Sequence, residues 1–597
     1  MESLSAIPNR SFLAPKVLAA GLANAGVSDV CISPGSRSAP LALAFAGQAG
    51  LRCWSHVDER SGAFFALGLA RASRRPVAVL CTSGTAAANF LPAVVEAWHA
   101  RVPLVVLTAD RPPELRDCGA GQTIDQNRIF GSHVRWFVEV SIPEPSVEAV
   151  RWLRSLAGRA VAEALGPPAG PVHLNVPLRE PLVPVVIAGD VPEEVARFAT
   201  SSQAAFRRAD SPRLRADRAA IESAASFLVE SRRPILVAGP LDDPDPDLPG
   251  AVAALADAIG APVLAEPASN LRRPALDGRL VEAHEALLRT PHFAESHEFD
   301  AVIRLGAPPT SKSLATRLWS RDGVPHVLLD GSDGWPDPAA VATHVLRSEP
   351  AIACADLACA LRAIRTGEPA ADPAWRSSWT GAGECARQAL AEARTGDGFA
   401  HEAHVIGALA EVLPADALLY VGNSLAIRAL DWFWPADAPR VRVLANRGAN
   451  GIDGFASSVL GAAAASVGPV VGLCGDLTFY HDLNGLMAIR RYGLRVVLVV
   501  MNNDGGGIFD YLPVADQPQY YEEFFATPHG LDFRPVVEMY GAGFDRVSSP
   551  AAIAGALRTA LRAPGSTVVE VSLDRRLGVA AHRRGWETVR LALEKAT

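Results

Sequence analysis

The chain has 597 residues, 49% of them hydrophobic, and a formal net charge of −8, with a pI near 6.0. This length requires more than one hydrophobic core, and the acidic balance argues against nucleic acid or an anionic membrane as a partner. The eight cysteines include no CxxC pair, the amino terminus lacks a secretory pattern and no apolar run is long enough for a bilayer. We therefore expect a cytoplasmic protein with reduced thiols and no membrane span.

The first elements of the chain alternate between helix and strand. The sequence predicts a helix over residues 11–25, a strand over 29–33 and, after the loop 34–38, a second helix. Glu59 lies just before a further predicted helix over residues 62–71. Because the helix dipole favours an acidic residue in the first turn, this position alone does not indicate a function.

The middle of the chain repeats this alternation. Strands predicted over residues 234–238, 261–265, 300–305 and 326–330 are separated by helical patterns. Such alternation is typical of parallel sheets with helices on both faces.

Two stretches with proline and polar residues and without strong periodicity divide the chain. They predict three doubly wound parallel-sheet α/β domains at 1–182, 218–365 and 399–597, joined by linkers at 183–217 and 366–398. Each predicted domain is long enough to enclose a core of its own.

The third domain places polar residues after two neighbouring predicted strands. Apolar runs over 470–475 and 496–501 precede Asp476 and Asn503, which are 27 positions apart, and three glycines follow at 505–507. The carboxyl ends of parallel strands meet at one edge of a sheet, and a carboxylate, an amide and a glycine turn suit Mg²⁺ and a diphosphate. An ordinary βαβ unit with a capping aspartate is the alternative; the spacing together with the glycines favours the metal site.

The first domain shows the same design. Residues 77–112 match residues 470–505 at an offset of 393 positions, and both have an apolar strand, a small-residue turn, a helix and a second apolar strand with a polar end. This match predicts two related sheet domains. Chance similarity is the alternative, since any two βαβ units look alike.

Six segments of the sequence carry a resemblance to a known family. In chain order they are ISPGSRSAPLAL, HVDERSGAFFALGLAR, TADRPPELRDCGAGQTIDQ, VGNSLAIRALD, NRGANGIDG and GDL…NNDGGGIF. Together they resemble the 2-succinyl-5-enolpyruvyl-6-hydroxy-3-cyclohexene-1-carboxylate (SEPHCHC) synthases, a family of thiamine-diphosphate enzymes. The resemblance covers the whole chain.

The resemblance implies thiamine diphosphate and Mg²⁺ or Mn²⁺ as cofactors. It makes Glu59 the catalytic carboxyl, hydrogen-bonded to the aminopyrimidine. The implied metal ligands are Asp476, Asn503 and Gly505. The implied cofactor-binding residues are Glu59, Ser424, Ile452, Gly475, Asp476, Leu477, Asn503 and Gly505. The implied substrate-binding residues are Ser36, Arg37, Arg111, Gln122, Lys312, Ser424, Arg428, Arg447, Ile508 and Phe509.

The resemblance also implies a reaction and an assembly. The reaction is decarboxylation of 2-oxoglutarate and conjugate addition of the resulting succinyl-semialdehyde carbanion to isochorismate, in menaquinone biosynthesis. Both substrates carry carboxylates, which arginine binds through two parallel hydrogen bonds. The assembly is a homo-oligomer, either a homodimer or a homotetramer, whose active sites are shared between subunits.

Three positions depart from the expected motifs. Leu477 stands where thiamine-diphosphate enzymes in general have glycine, a change that the resembled family shares. Gly121 stands where that family often has asparagine, and Ser313 where it has a second basic residue. We therefore expect isochorismate to be held less tightly or by other contacts.

Other interpretations stay open at this point. A single arginine is more often a solvated surface group, Lys312 fits a free surface position equally well, and Ile452 fits core packing nearly as well. His481 is a weak candidate for a contact beside the metal. A thiamine lyase with FAD in the middle domain and a non-catalytic homologue are the rival functions. The presence of Glu59, Asp476 and Asn503 argues against the second.

Overall fold

The structure is a computed structural model that describes residues 7–142, 144–201, 212–241, 245–321, 323–332, 334–365, 367–395 and 397–596. Residues 202–211, 366 and 396, which fall in the two expected linkers, lie outside this described part. No helix of the described residues is both long enough and apolar enough to cross a membrane.

The first sheet has six parallel strands. They are β1 (Asp29–Ile32), β2 (Arg52–Ser55), β3 (Val77–Cys81), β4 (Leu104–Asp110), β5 (Trp136–Glu139) and β6 (Val172–Pro177), in the order β2-β1-β3-β4-β6-β5. The helices of this region are α1 (Leu13–Asn24), α2 (Ala39–Ala46), α3 (Glu59–Ser73), α4 (Thr85–Asn89), α5 (Leu91–His99), α6 (Val147–Leu165) and α7 (Glu193–Thr200). Strands β3 and β4 are buried along their whole length, as expected for a parallel sheet covered on both faces.

The second sheet has five parallel strands. They are β7 (Pro234–Ala238), β8 (Val263–Ala265), β9 (Ala301–Leu305), β10 (His326–Leu329) and β11 (His344–Leu346), in the order β11-β10-β9-β7-β8. The helices of this region are α8 (Arg218–Leu228), α9 (Leu248–Ile259), α10 (His284–Arg289), α11 (Pro291–Ser296), α12 (Lys312–Trp319), α13 (Pro350–Ile364) and α14 (Trp375–Arg394). The four strands predicted here from hydrophobic patterning are confirmed.

The third sheet again has six parallel strands. They are β12 (Leu418–Val421), β13 (Arg442–Ala445), β14 (Val470–Gly475), β15 (Val497–Asn502), β16 (Gly543–Val547) and β17 (Thr567–Ser572), in the order β13-β12-β14-β15-β17-β16. The remaining helices are α15 (Glu402–Val412), α16 (Leu425–Phe433), α17 (Phe455–Ala465), α18 (Asp476–Tyr480), α19 (Met487–Tyr492), α20 (Pro518–Tyr521), α21 (Arg534–Met539), α22 (Pro550–Arg562) and α23 (Arg575–Ala596). Short 3₁₀ segments include Pro113–Leu115, Pro267–Ser269, Leu483–Leu486, Gly507–Tyr511 and Pro513–Asp516.

The first and third sheets share one strand order. Counted from the first strand of each sheet, both run 2-1-3-4-6-5, and β3 and β4 hold the same places as β14 and β15. This is the arrangement that the match between residues 77–112 and 470–505 predicts. The three-sheet α/β architecture expected from the sequence is therefore confirmed.

The chain divides into two compact units. Unit 1 contains Met1–Pro212, Asn446–Val467 and His481–Leu494, and unit 2 contains Arg213–Ala445, Gly468–Tyr480 and Arg495–Thr597. Unit 1 therefore holds the first sheet together with α17 and α19, whereas unit 2 holds the other two sheets. The expected third domain is thus divided between the units.

Helices α3 and α17 lie in direct backbone contact within unit 1. A Cβ at Gly68 would meet the carbonyl of Ser458, and a Cβ at Gly461 would meet the carbonyl of Phe65. Ser458 Oγ also donates a hydrogen bond to the carbonyl of Phe64 over 3.3 Å. Glycine permits this close approach because it carries no side chain.

The range of the second expected linker, 366–398, is largely helical. Helix α14 occupies most of the range 366–398 and buries Trp375 and Trp379 in a cluster with Phe293 and Val589. Trp375 Nε1 also donates a hydrogen bond to the Pro234 carbonyl over 2.7 Å. In the first expected linker, α7 likewise packs against the core around the first sheet.

Candidate active site

The carboxyl edge of the third sheet holds the predicted metal ligands of unit 2. Strands β14 and β15 are parallel neighbours, so Asp476 and Asn503 follow adjacent strands. Asp476 is 2% exposed. Its Oδ2 accepts hydrogen bonds from the Asn503 amide over 3.1 Å and the Gly505 amide over 2.9 Å, and its Oδ1 accepts one from Leu477 over 2.7 Å. The predicted cluster at this edge is present.

The glycine turn after β15 is required by its conformation. Gly505 has a φ of +130°, and a Cβ there would collide with the Ala526 carbonyl. The Gly506 amide donates to that same carbonyl over 2.6 Å. The segment around Ala526 therefore packs directly against the glycine turn.

Two features of this edge fit a metal ion. Asn503 Oδ1 is buried and has no hydrogen-bond partner among the described residues. Burial raises the pKa of Asp476, and the hydrogen bonds from Gly505 and Leu477 and the nearby His529 only partly oppose this rise. A bound cation would be coordinated by the free Asn503 oxygen and would offset the buried negative charge of Asp476.

His529 lies beside Asp476 and was missed in the sequence. Its Nε2 is 3.3 Å from Asp476 Oδ2. The Leu531 amide donates to its Nδ1 over 3.0 Å, which leaves the ring proton on Nε2, facing the carboxylate. The segment is held in place because Asp504 Oδ1 accepts from the amides of His529 and Gly530 over 2.9 and 2.8 Å. The only sequence signal is the turn-like Pro528-His529-Gly530, which no motif spacing links to Asp476.

The carboxyl edge of the first sheet, in unit 1, brings two predicted arginines together. Arg37 follows β1 and is 9% exposed, with Nη1 donating to the Leu178 carbonyl over 2.9 Å. Arg111 follows β4 and donates to Ser83 Oγ and to the Gly121 carbonyl, the latter over 2.9 Å. Burial lowers the pKa of Arg111, and the neighbouring positive charge of Arg37 lowers it further. Two close guanidinium groups are suited to a carboxylate ligand.

The other predicted groups at this edge lie in adjoining loops. Gln122 has a φ of +57° and donates from Nε2 to the Ser83 carbonyl over 3.0 Å. Gln122 and Arg111 thus share the Ser83 loop, whereas Ser36 is exposed in the loop after β1. Gly121 places its carbonyl on Arg111, so the position where asparagine was expected contributes through its backbone.

The first sheet does not repeat the metal site of the third. Asp110, at the end of β4, is fully buried. It accepts from Asn175 Nδ2 over 2.9 Å and lies 3.0 Å from Arg116 Nη2. These partners already compensate its charge, so this aspartate serves the sheet rather than a cation.

Glu59 is half-buried at the first residue of α3. The preceding Asp58 caps the helix by accepting from the Ser61 amide over 3.1 Å, so Glu59 is free of the capping role. Burial raises the pKa of Cys81, at the end of β3, and the negative charge of Glu59 adds to the rise. Because α3 begins soon after β2 ends, Glu59 lies at the carboxyl edge of the first sheet.

Two more predicted residues of unit 1 lie between β13 and α17. Arg447 and Ile452 are both half-buried. The loop between them is fixed by Glu96, whose two carboxylate oxygens accept from the Gly448 and Ala449 amides over 2.8 and 2.6 Å.

Ser424 and Arg428 form a pair in unit 2. Ser424 caps α16 with a φ of +64°, a strained value for a residue with a side chain. Arg428 Nη1 donates to the Ser424 carbonyl over 2.7 Å. Burial lowers the pKa of Arg428, although the negative charges of Glu285 and Glu266 raise it in part.

The middle region explains one departure from the expected motifs. Lys312 is exposed at the first residue of α12. Ser313, where a basic residue was expected, instead donates from its amide and its Oγ to Glu285 over 3.2 and 3.0 Å. Arg289 donates to the same carboxylate over 2.8 Å. Ser313 therefore orients an acidic group rather than supplying a cation.

Ile508 and Phe509 lie in the 3₁₀ segment that follows the glycine turn. Both are half-buried. The Phe509 ring lies 5.7 Å from that of Phe525 in an edge-to-face arrangement. The weak candidate His481 belongs to unit 1, where its carbonyl accepts from Arg60 over 2.9 Å.

Comparison with known proteins gives a consistent result. Residues 14–129 match the family model of the thiamine pyrophosphate enzyme N-terminal TPP binding domain, and residues 432–571 match that of the C-terminal TPP binding domain. The chain is 44% identical to 2-succinyl-5-enolpyruvyl-6-hydroxy-3-cyclohexene-1-carboxylate synthase of Geobacillus thermodenitrificans, over 96% of each chain. It is 43% identical to a protein of the same name from Chloroflexus aurantiacus, over 97% of this chain and 96% of the relative. It is also 43% identical to one from Halobacterium salinarum, over 96% of this chain and 97% of the relative.

Proposed function

Because the chain belongs to the family of SEPHCHC synthases, which are thiamine-diphosphate enzymes, we propose that it decarboxylates 2-oxoglutarate and adds the remaining four-carbon unit to isochorismate. The products are SEPHCHC and CO₂, and the pathway is menaquinone biosynthesis. The observation that carries the proposal is the buried Asp476 beside the Asn503 oxygen, which has no hydrogen-bond partner among the described residues.

The proposed cation is Mg²⁺ or Mn²⁺, held by Asp476, by Asn503 Oδ1 and by the Gly505 carbonyl. These are oxygen ligands, which both ions prefer. The Leu477 amide holds one oxygen of Asp476, which explains why the side chain at this position is free to differ from the usual glycine. Gly475 ends the strand immediately before the aspartate and leaves room for a diphosphate.

Thiamine diphosphate, when bound, supplies an electron sink for the charge left by decarboxylation. The role of Glu59 is to hold a proton in a hydrogen bond to the aminopyrimidine ring. Its place after a cap residue suits this role, since Asp58 satisfies the helix amides and leaves the Glu59 carboxyl available. Ile452 and Ser424 are the proposed contacts to the rest of the cofactor.

Charge complementarity supports the substrate assignment. Arg111 and Gln122 contact the Ser83 loop, and together with the neighbouring Arg37 they suit a substrate carboxylate. Ser36, Lys312, Ser424, Arg428 and Arg447 are the further proposed polar contacts, and Ile508 and Phe509 the apolar ones. Anionic substrates would be oriented mainly by these guanidinium groups, because the reaction needs correct placement more than a strong acid or base.

The proposed working form is a cytoplasmic homodimer or homotetramer. The expectation from the family is that Glu59 of one subunit meets the Asp476 edge of another. Size-exclusion chromatography with light scattering would measure the assembly, and mixing Glu59→Gln with Asp476→Asn chains would test the sharing of sites. Two inactive variants that regain activity together would support shared sites, whereas no recovery after subunit exchange would oppose them.

The direct test supplies purified protein with thiamine diphosphate, Mg²⁺, 2-oxoglutarate and isochorismate. Loss of isochorismate and appearance of the coupled product by mass spectrometry would support the proposal. Consumption of pyruvate while 2-oxoglutarate is ignored would overturn it, and a yellow protein with flavin absorbance would favour the rival lyase. The Glu59→Gln variant should bind the cofactor and lose most turnover, by about 10²- to 10⁴-fold.

A further inference from the structure

A second group of metal-binding side chains lies in unit 2, on other residues than the proposed cofactor site. His401, Glu402 and His582 place one candidate ligand atom each within 4.8 Å of one another. All three residues are at most 3% exposed. His401 and Glu402 begin α15, and His582 lies on the carboxyl-terminal helix α23. The cluster therefore joins two helices that are far apart in sequence.

Each histidine of this cluster has an orienting partner on its outer nitrogen. His401 Nε2 lies 3.0 Å from Asp397 Oδ2, and Asp397 is held in turn by Arg584 over 2.6 Å. His582 Nδ1 is hydrogen-bonded to the Tyr511 hydroxyl. Histidines that bind metals almost always use one nitrogen in this way, which aims the other at the ion.

Three other polar atoms of the cluster lack hydrogen-bond partners among the described residues. His401 Nδ1, Glu402 Oε2 and His582 Nε2 are all buried and satisfy no hydrogen bond of good geometry within the described residues. The amide of His404 donates to the His401 carbonyl over 2.9 Å and also faces the His401 side chain in a capping box, a contact that a bound metal would replace. Three buried polar side chains this close together are costly unless something binds them.

The distance between two of the candidate ligand atoms also suits a metal. His582 Nε2 and Glu402 Oε2 are 3.3 Å apart, close to the edge of about 3.4 Å of a tetrahedron with metal–ligand bonds of about 2.1 Å.

We propose that His401, Glu402 and His582 bind one divalent transition-metal ion per chain, with Zn²⁺ as the best fit. Two imidazoles and a carboxylate suit Zn²⁺ rather than Mg²⁺, which prefers oxygen ligands. The ion ties the start of α15 to α23, and Tyr511 connects the site to the 3₁₀ segment that carries Phe509. A buried His582–Glu402 ion pair without metal is the competing explanation.

The test measures Zn²⁺ and Co²⁺ on the full chain without substrates or thiamine diphosphate. Protein dialysed against limiting Zn²⁺ in excess Mg²⁺ should keep one equivalent of Zn²⁺ by elemental mass spectrometry. Co²⁺ should give visible absorption of a low-symmetry site with nitrogen ligands. Tyr511→Phe, which removes an orienting partner, should weaken Zn²⁺ binding about 10- to 100-fold.

Matched variants separate this site from other zinc-binding groups. His582→Gln and Glu402→Gln should lose the equivalent, whereas His292→Gln, at an exposed histidine, should keep it. Zn²⁺ retained in the two cluster variants would overturn the proposal, as would wild-type protein that takes up neither Zn²⁺ nor Co²⁺. If a cluster variant does not fold, the wild-type titrations still decide. None of these measurements depends on synthase activity.

Discussion

His529 offers a test of the metal site that does not need turnover. Its Nε2–H faces Asp476 Oδ2 at 3.3 Å, while its Nδ1 accepts from the Leu531 amide. His529→Phe keeps a ring and removes both polar atoms, whereas His529→Gln places an amide donor near the former Nε2. Both variants lose the acceptor for Leu531, so the difference between them reports the contact to Asp476.

The size of the effect follows from the length of this contact. A hydrogen bond to a charged group contributes about 1.5 to 3 kcal/mol; the 3.3 Å contact of His529 Nε2 lacks good hydrogen-bond geometry, so we take the lower end as its upper limit. About 1.5 kcal/mol corresponds to about tenfold in affinity. We therefore expect His529→Phe to bind Mg²⁺ more weakly than wild type, by at most about tenfold, and His529→Gln to lie between the two. The assay is tryptophan fluorescence during Mg²⁺ titration at saturating thiamine diphosphate; equal Mg²⁺ affinity in His529→Phe would refute this reasoning.

Three further predictions concern the turn, the arginine pair and a buried carboxyl. Gly505→Ala should lower the free energy of unfolding by about 1–3 kcal/mol and abolish Mg²⁺-dependent cofactor binding, because the φ of Gly505 is +130° and a Cβ there would meet a carbonyl. The control Gly541→Ala, also at positive φ but with open space around the new Cβ, should keep cofactor binding. Unchanged cofactor binding in Gly505→Ala would contradict this role of the turn. Arg111→Lys should raise KM for one substrate about tenfold with a smaller change in kcat, because lysine cannot reproduce the two contacts of the guanidinium. An unchanged KM for both substrates would exclude Arg111 as a substrate-binding residue. Burial raises the pKa of Asp482 to about 6, although hydrogen bonds from Ser457 oppose the rise. The folded state therefore binds the Asp482 proton more tightly than the unfolded state does. As the pH rises from about 4 to 6, the protein should lose about 3 kcal/mol of stability. Urea unfolding across this range should show Asp482→Asn gaining on wild type as pH rises, and parallel curves would exclude the carboxyl as the cause.

The sequence predicted the sheets well because their strands are short apolar runs. Strands β14 and β15 are almost wholly buried, so their hydrophobic runs stand out, and the polar residues after them mark the ligand edge. Helix α14 was less visible, because the glycine and proline around it favoured a linker. Its buried tryptophans at positions 375 and 379 have the four-residue spacing of a helix face, a signal that the composition outweighed.

The side-chain contacts at the site were harder to predict. His529 reaches Asp476 from an irregular segment, where no periodicity fixes the direction of a side chain. Ser313 binds Glu285, and the resemblance gave only the loss of a basic residue at this position, not the new partner. Such pairs depend on loop conformations, which are set by tertiary contacts rather than by local patterning.

The contact between α3 and α17 has a consequence for synthesis of the protein. Every residue of α3 from Ser61 to Arg71 is buried, yet the glycine-lined helix that covers part of it begins at Phe455. On the ribosome, nearly four hundred more residues must therefore follow α3 before this helix is available. During that interval α3 exposes an apolar face that chaperones would recognise. A truncated chain that ends after the first sheet would keep this surface exposed, so we expect it to aggregate rather than persist as a free domain.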